Sequence, residues 1–153
     1  MPLNLSSCLR QATPADLEVL LTLVQEYYAY DQIDFEESRQ RKALAELLEN
    51  SSLGQIWLLE DQGQPFGYAV LTFGYAIESG GRDAILDELY LREAYRGQGL
   101  GSQVLAFVEA FCRKEGLTGL YLVVERKNLR AQSVYRKLNY VESDRLIFGK
   151  FLD

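Results

Sequence analysis

A glycine-rich turn between a predicted strand and a predicted helix constrains this chain more than any other feature. Residues 94–103 read A-Y-R-G-Q-G-L-G-S-Q, with Gly97, Gly99 and Gly101 at alternate positions. The apolar spacing that follows predicts a helix over residues 100–114, which Gly116 can end. Glycines directly before a helix let backbone N–H groups approach an anion, so this turn predicts an anion-binding site.

The details of the turn separate several kinds of anion site. A P-loop requires a lysine directly after its last glycine, and Ser102 follows Gly101. A dinucleotide fingerprint that starts at Gly97 would also need glycine where Ser102 stands. A plain strand-to-helix turn needs only one or two glycines. The pattern favours a pyrophosphate cradle of backbone amides and helix dipole, with Arg96 adding positive charge.

Composition excludes several other kinds of chemistry. The chain contains no histidine, so a Ser-His-Asp triad, a Cys-His pair and a histidine metal site are impossible. Its two cysteines, Cys8 and Cys112, are far apart and form no C-x-x-C motif, and we expect no metal. The net charge of −6 argues against nucleic-acid binding and fits either cationic partners or simple solubility. Without a membrane-length apolar run or a signal peptide, we expect a cytoplasmic protein with no membrane contact.

The hydrophobic periodicity predicts one α+β domain over residues 1–153, since no linker or repeat interrupts it. Thr13 and Pro14 suit the start of the first long helix. The strand–helix–strand order around residues 84–125 predicts a parallel central strand pair in a mixed, mostly antiparallel sheet with about four helices. Strands are predicted at residues 5–11, 55–60, 65–75, 84–91, 120–125 and 145–151, and the other helices at residues 36–49 and 130–138.

Two motifs in order resemble the GNAT superfamily of N-acetyltransferases over essentially the whole chain. Arg96-x-x-Gly99-x-Gly101 looks like the coenzyme A motif of that family, and it follows a strand that ends in L-x-L. Residues 125–140 are similar to its second acetyl-CoA segment, in which Asn128 and Tyr135 match recurrent positions. The opening L-R-Q-A-T-P-A-D is similar to the family's first strand and helix start.

The resemblance implies the GNAT fold and acetyl transfer from acetyl-CoA, without a metal, to a primary amine of a small cationic molecule. It also implies a homodimer, since dimerisation is common in the family. A protein lysine or N-terminal acetyltransferase, or a non-catalytic sensor of acetyl-CoA, are the alternatives. Splayed parallel strands near residues 91 and 124 would leave open backbone for pantetheine. The implied cofactor-binding residues are Leu89, Leu91, Arg96, Gly97, Gln98, Gly99, Leu100, Gly101, Ser102, Asn128 and Tyr135.

Three side chains are candidates for proton transfer. The resemblance assigns Tyr135 as the acid that protonates the leaving thiolate; the alternative is an aromatic residue that only packs on the last helix. Asp87 and Glu88 are adjacent in a strand, so one carboxylate is expected on each sheet face and one of them in the cleft, although a bulge could change which. We favour Glu88 over Asp87 as base, acting directly or through water; the alternative is a solvated or salt-bridged pair.

The acceptor site is predicted in an aromatic and acidic segment at residues 26–37. Family acceptor sites commonly use the loop between the first two helices, and aromatic rings beside carboxylates suit a cationic amine. The alternative is a helix end with core tyrosines and solvated acids. The proposed members of this site are Tyr28, Asp31, Asp34 and Phe35, with Tyr75 from the strand at residues 65–75.

Overall fold

The computed structural model describes residues 2–152, which fall into two units that meet between residues 123 and 124. The first unit contains a five-stranded sheet in the order β1-β2-β3-β4-β5. The strands are β1 (Leu9–Gln11), β2 (Gly54–Asp61), β3 (Gln64–Ala76), β4 (Gly81–Leu91) and β5 (Leu120–Leu122). The pairs β1·β2, β2·β3 and β3·β4 are antiparallel. The pair β4·β5 is parallel, as the strand–helix–strand order predicts.

Helices cover both faces of this sheet. The long helices of the first unit are α2 (Leu17–Asp31), α3 (Glu37–Glu49) and α4 (Leu100–Lys114), and a short α1 (Leu5–Cys8) precedes β1. Leu20 and Leu23 of α2 and Leu44 of α3 share one core cluster with Ile56 and Leu58 of β2. Side chains alternate along a strand, so Trp57 lies on the opposite face. There its ring meets Phe107 and Phe111 of α4 edge-on.

The start of the chain differs from the prediction. Residues 5–11 were expected to form a strand, but residues 5–8 form a helical turn and only Leu9–Gln11 pairs with β2. The Asn4 side chain accepts a hydrogen bond from the Ser6 N–H at 3.2 Å, and the Ser7 hydroxyl donates to the Asn4 carbonyl at 2.7 Å. Short polar side chains that bond the local backbone favour caps and turns, which explains the error.

The predicted end of the sheet also differs. The apolar run at residues 120–125 was expected to be a covered central strand, but β5 is short, lies at the edge of the sheet and is only partly buried. The strand expected at residues 145–151 is absent, since residues 140–152 form neither helix nor strand. A strand needs a partner edge as well as an apolar sequence, and local pattern does not specify that partner.

The second unit contains one helix, α5 (Leu129–Lys137), close to the predicted 130–138. Asn139 follows it with a φ of 69°, which confirms the left-handed helix end expected at this residue. None of the helices described between residues 2 and 152 combines the length and apolar character that a bilayer crossing requires.

An ion-pair network joins the first strand to the start of α2. Arg10 donates two hydrogen bonds to Asp16, at 2.9 and 2.8 Å, and two more to Glu60. The Thr13 N–H also donates to Asp16, at 2.7 Å. The hydrogen bonds from Arg10, more than any other contact, lower the pKa of the buried Asp16 carboxyl to about 2.

We predict that Asp16→Asn lowers the free energy of unfolding at neutral pH by about 1–2 kcal/mol, since it removes the charge that Arg10 binds. The folded-state pKa of Asp16 lies below the unfolded value of 3.8. The stabilisation is therefore complete above about pH 4 and lost as pH falls toward 2. Urea denaturation of both proteins across this range should show the difference shrinking with acid. The exposed Asp144→Asn is the control, and a loss independent of pH would contradict the assignment.

Candidate active site

Strand β4 carries a β-bulge at Asp87. Leu86 pairs with Leu71 and Glu88 pairs with Val70, so Asp87 has no partner of its own on β3. One extra residue in a strand reverses the alternation of the side chains beyond it. The expectation of one carboxylate on each sheet face is therefore wrong, because Asp87 and Glu88 line the same cleft.

This cleft, of about 140 Å³, lies where α2 and α3 cover β3 and β4. Its walls are mostly aliphatic, formed by Val24, Ala43, Leu44, Leu47 and Val70. The polar groups that line it are Gln40, Tyr28 and the two carboxylates. An apolar cleft with a few converging polar groups is the usual form of a small-molecule site.

Two tyrosines hold the Glu88 carboxylate. The Tyr28 hydroxyl of α2 donates to Oε2 at 2.6 Å, and the Tyr68 hydroxyl of β3 donates to Oε1 at 2.6 Å. Burial raises the pKa of Glu88, and the two hydrogen bonds oppose that rise because they favour the ionised form. Glu88 is thus a partly buried acid held by one donor on each oxygen.

Asp87 has a different environment. Its side chain is exposed and makes no hydrogen bond or ion pair with the other residues of the 2–152 range. Partial loss of its hydration raises the pKa of this carboxyl. Of the two acids in the cleft, Asp87 is the one whose oxygens are open to a ligand.

The remaining predicted acceptor residues lie in different places. Phe35 meets the Tyr28 ring edge-on, with centroids 6.2 Å apart, and so lies beside the cleft. Asp31, at the end of α2, accepts from the Tyr27 hydroxyl at 3.4 Å, and Asp34 is exposed between the two helices. Tyr75 is 74% exposed and opposes Arg82. Its position on β3, about 17 Å along the strand from Val70 by strand geometry, separates it from the cleft.

The glycine turn has the geometry of an anion cradle. Gly97 and Gly99 have φ values of 73° and 80°, which only glycine adopts readily. Gly99 caps α4, and the first hydrogen bond within the helix runs from the Gln103 N–H to the Gly99 carbonyl at 3.1 Å. The N–H groups of Leu100, Gly101 and Ser102 therefore have no partner within the helix. A Cβ added at Gly99 or Gly101 would meet no atom within 4 Å, so the space beside these amides is open to a phosphate group.

Arg96 connects this turn to the end of β4. Its Nε donates to the Leu91 carbonyl at 2.7 Å, and its guanidinium lies 4.3 Å from the centre of the Tyr30 ring. These contacts hold the side chain while leaving its two terminal amino groups for an anion. The Gln98 side chain donates to the Ala94 carbonyl at 3.0 Å and closes the same turn.

The edge of β4 beyond the bulge offers backbone groups. β5 pairs with β4 only at residues 84–86. The Arg92 N–H donates to the Phe66 carbonyl, and Leu91 opposes Gly67. In antiparallel pairing this pattern turns the N–H and C=O of Leu91, and likewise those of Leu89, away from β3. These are the backbone positions that the sequence assigns to pantetheine.

Similarity to known proteins agrees with this geometry. The model of the acetyltransferase (GNAT) family matches residues 20–140. The chain belongs to the GNAT acetyltransferase family. It is an acetyl-CoA-dependent N-acetyltransferase with the GNAT fold, which confirms the expectations drawn from its motifs.

One curated relative and two solved structures illustrate the similarity. Thialysine N-epsilon-acetyltransferase of Bos taurus is 29% identical over 143 residues, which cover 85% of this chain and 81% of the relative. An integron cassette protein from the mobile metagenome of Cole Harbour Salt Marsh superposes with a TM-score of 0.86. It is 31% identical, covering 98% of this chain and 93% of that one. A predicted acetyltransferase from Clostridium acetobutylicum, solved with acetyl-CoA, has a TM-score of 0.80 over 93% of this chain and 94% of its own. At 17% identity it supports the fold alone.

The second unit of the acetyltransferase holds the other two predicted site residues. Asn128 caps α5, where its side chain accepts from the Ala131 N–H at 3.1 Å, as a loop cap would. The side-chain NH₂ of Asn128 is not used in that bond. Tyr135 is half-buried, its ring lies 6.1 Å from that of Tyr140, and burial raises its pKa. Tyr135 is therefore protonated at neutral pH, as an ordinary tyrosine is, and carries a proton that it can donate.

Sequence reasoning missed Tyr68 and Tyr30. Tyr68 stands in the apolar run F-G-Y-A-V-L, and a core-facing tyrosine requires a hydrogen-bond acceptor. That requirement was a usable signal for a polar group nearby, although not for its identity. Tyr30 carried no comparable signal, because stacking on Arg96 joins residues that are distant in sequence.

We predict that Gly99→Ala and Gly101→Ala have opposite effects on stability and the same effect on acetyl-CoA binding. The positive φ of Gly99 makes alanine there cost about 1 kcal/mol. Alanine at Gly101, within the helix, should add about 0.5–1 kcal/mol. Either methyl group occupies the space beside the free amides, so calorimetry should show affinity for acetyl-CoA reduced about 10-fold.

Gly63→Ala is the matched control for this comparison. Gly63 also has a positive φ, of 78°, but lies in the β2–β3 turn. Alanine there should reduce the unfolding free energy as Gly99→Ala does and leave acetyl-CoA binding unchanged. Unchanged acetyl-CoA affinity in both Gly99→Ala and Gly101→Ala would show that the pyrophosphate lies elsewhere.

Proposed function

We propose that this acetyltransferase transfers an acetyl group to a primary amine of a small cationic molecule, by direct attack in a ternary complex. The observation that carries the proposal is the bulge that places Asp87 and Glu88 together in one small aliphatic cleft. Two carboxylates attract an ammonium group, and aliphatic walls suit the carbon chain that bears it. The name of the bovine relative, a thialysine N-epsilon-acetyltransferase, is consistent with a small amine acceptor.

The donor is proposed to bind along the end of β4 and the turn that follows. The amides of residues 97–102 and the α4 dipole would hold the pyrophosphate, with charge added by Arg96. The outward backbone groups of Leu89 and the N–H of Leu91 would pair with the pantetheine amides, while the Leu91 carbonyl accepts from Arg96. Asn128 is a further proposed cofactor-binding residue. When bound, acetyl-CoA supplies an activated acyl carbon, and the protein supplies orientation and proton transfer.

The two acids of the cleft are proposed to divide the work on the acceptor. An amine arrives protonated, with a pKa near 10.4, and must lose a proton before it attacks. Asp87, whose oxygens are open, would bind the ammonium, and Glu88 would take the proton directly or through a water molecule. The C–N bond then forms as the C–S bond breaks, and the net reaction releases one proton to solvent.

Tyr135 is proposed to donate a proton to the departing thiolate, because its position matches the recurrent tyrosine of the family and a phenol is protonated at neutral pH. No covalent acetyl-enzyme is needed. The chain has no histidine, and both cysteines, 4% and 5% exposed, lie in the core away from solvent. These observations support direct transfer between the two bound substrates.

We also propose that both units belong to one N-acetyltransferase domain, because the matching family model spans the boundary between them. Two free, buried cysteines fit a reducing compartment, which supports a cytoplasmic location.

A homodimer is proposed from the family resemblance. Neither nucleic acid nor metal is assigned a role. Within residues 2–152, no three His, Cys, Asp or Glu side chains are grouped to hold a metal ion.

The proposed acceptor is tested by thiol release from acetyl-CoA in the presence of an amine panel. The panel contains thialysine, polyamines, aminoglycosides, free amino acids and lysine peptides. We expect the highest kcat/KM with small cationic amines, because the cleft is small and acidic. Acetylation of peptides alone would overturn the proposal in favour of a protein acetyltransferase.

We predict that Tyr135→Phe lowers kcat at least about 100-fold, the smaller end of what a general acid contributes, while acetyl-CoA affinity changes little. The phenyl ring preserves packing and removes only the proton donor. Tyr140→Phe, on the ring beside it, is the matched control and should keep its turnover. Equal turnover in Tyr135→Phe and the wild type would remove Tyr135 from the mechanism.

A further inference from the structure

Tyr68 is a buried polar residue in an otherwise apolar part of β3. It is 0% exposed and is the largest of the fully buried side chains among the residues described. Phenylalanine would fill the same space without a hydroxyl to satisfy, and an unpaired buried hydroxyl is costly. The acceptor that satisfies the hydroxyl is Glu88, at 2.6 Å.

The register of the sheet produces this contact. Tyr68 pairs with Tyr90 and Val70 pairs with Glu88, so Tyr68 is the diagonal neighbour of Glu88 across the β3–β4 pair. Tyr28 reaches the other carboxylate oxygen from α2, also at 2.6 Å. Donors on two separate elements thus hold one carboxylate, which restricts its rotation.

The two acids of the cleft therefore differ in freedom although they are adjacent in sequence. Glu88 has a fixed orientation and one donor on each oxygen, while Asp87 has no such partner among residues 2–152. We propose that Tyr68 is a positioning residue: together with Tyr28 it holds Glu88 as the proton acceptor and leaves Asp87 to contact the acceptor ammonium. The assignment of the two acids to proton transfer and ammonium binding rests on the proposed function. The hydrogen bonds of Tyr68 and Tyr28 to Glu88, called the clamp below, do not depend on it.

The groups around Glu88 determine how its protonation responds to a variant. α2 presents Tyr28, β3 presents Tyr68, and β4 presents Asp87, with Tyr90 farther along. The α3 residues that line the cleft are uncharged: Gln40, Ala43, Leu44 and Leu47. Burial and the Asp87 charge raise the pKa of Glu88, and only the two phenol bonds lower it. Removing one phenol must therefore raise that pKa.

A carboxyl ¹³C NMR titration tests the clamp without needing activity. The Glu88 resonance is assigned by its loss in Glu88→Gln. We expect Tyr68→Phe to raise the Glu88 pKa by about one unit. Tyr90→Phe is the matched control. It removes a hydroxyl on the same sheet face, but that hydroxyl donates to Glu26 and not to Glu88. An unchanged Glu88 pKa in Tyr68→Phe would overturn the inference.

Kinetics test the division of labour, with the panel amine that is acetylated fastest. In Tyr68→Phe, the apparent pKa of the acid limb in the pH profile of kcat/KM should rise together with the Glu88 pKa measured by NMR. In Asp87→Asn, KM for the amine should rise about 10-fold, which corresponds to about 1.4 kcal/mol. Its acid limb should not move upward, because the substitution removes a like charge beside Glu88. An unmoved limb in Tyr68→Phe, or an unchanged KM in Asp87→Asn, would contradict the assigned roles.

Tyr28→Phe keeps the test decisive if Tyr68→Phe folds poorly, because Tyr28 is only half-buried. It should shift the Glu88 pKa in the same direction. If no amine is acetylated, the proposed function fails while the NMR result still decides the clamp. If amines are acetylated and the Glu88 pKa does not move in either variant, the inference alone fails.

Discussion

The hydrogen-bonded carboxylate of Glu88 is the contact on which the cleft of this acetyltransferase depends. It accepts from Tyr68 on β3 and from Tyr28 on α2, and so ties two strands and a helix together at the floor of the cleft. The bulge at Asp87 makes this possible, because without the extra residue the two acids would point to opposite faces. A local irregularity in one strand thereby creates a two-carboxylate site.

The same strand leads into the glycine turn that is proposed to bind the donor. Beyond the bulge, β4 turns the backbone groups of Leu89 and Leu91 away from β3, and the glycine cradle follows directly. Arg96 links the end of the strand to Tyr30 of α2, and Arg92 donates to Glu26 of α2 at 2.9 and 2.7 Å. The helix that supplies Tyr28 is therefore anchored to the strand that carries both acids and leads into the cradle.

Predictions from sequence succeeded where the signal was local. The bounds of α4 match the predicted residues 100–114, and Asn139 ends α5 in the left-handed conformation expected there. The predictions failed where the structure of a segment depended on which strand it pairs with or on the register of that pairing. Residues 5–8 form a capped turn, β5 lies at an edge, and residues 145–151 form no strand. Of the residues proposed for the acceptor site, Tyr28 lines the cleft, Phe35 lies beside Tyr28, and Tyr75 lies farther along β3.

The amino-acid sequence by itself determined the family and the fold class, because these depend on motif residues and helix spacing within short segments. Only the tertiary structure decided which acids share the cleft and which tyrosines hold Glu88. The alternation of a regular strand is readable from sequence, but a bulge depends on how β3 and β4 align. Contacts between residues 20 and 60 positions apart, such as those of Tyr68 and Tyr28 with Glu88, exist only after the chain has folded.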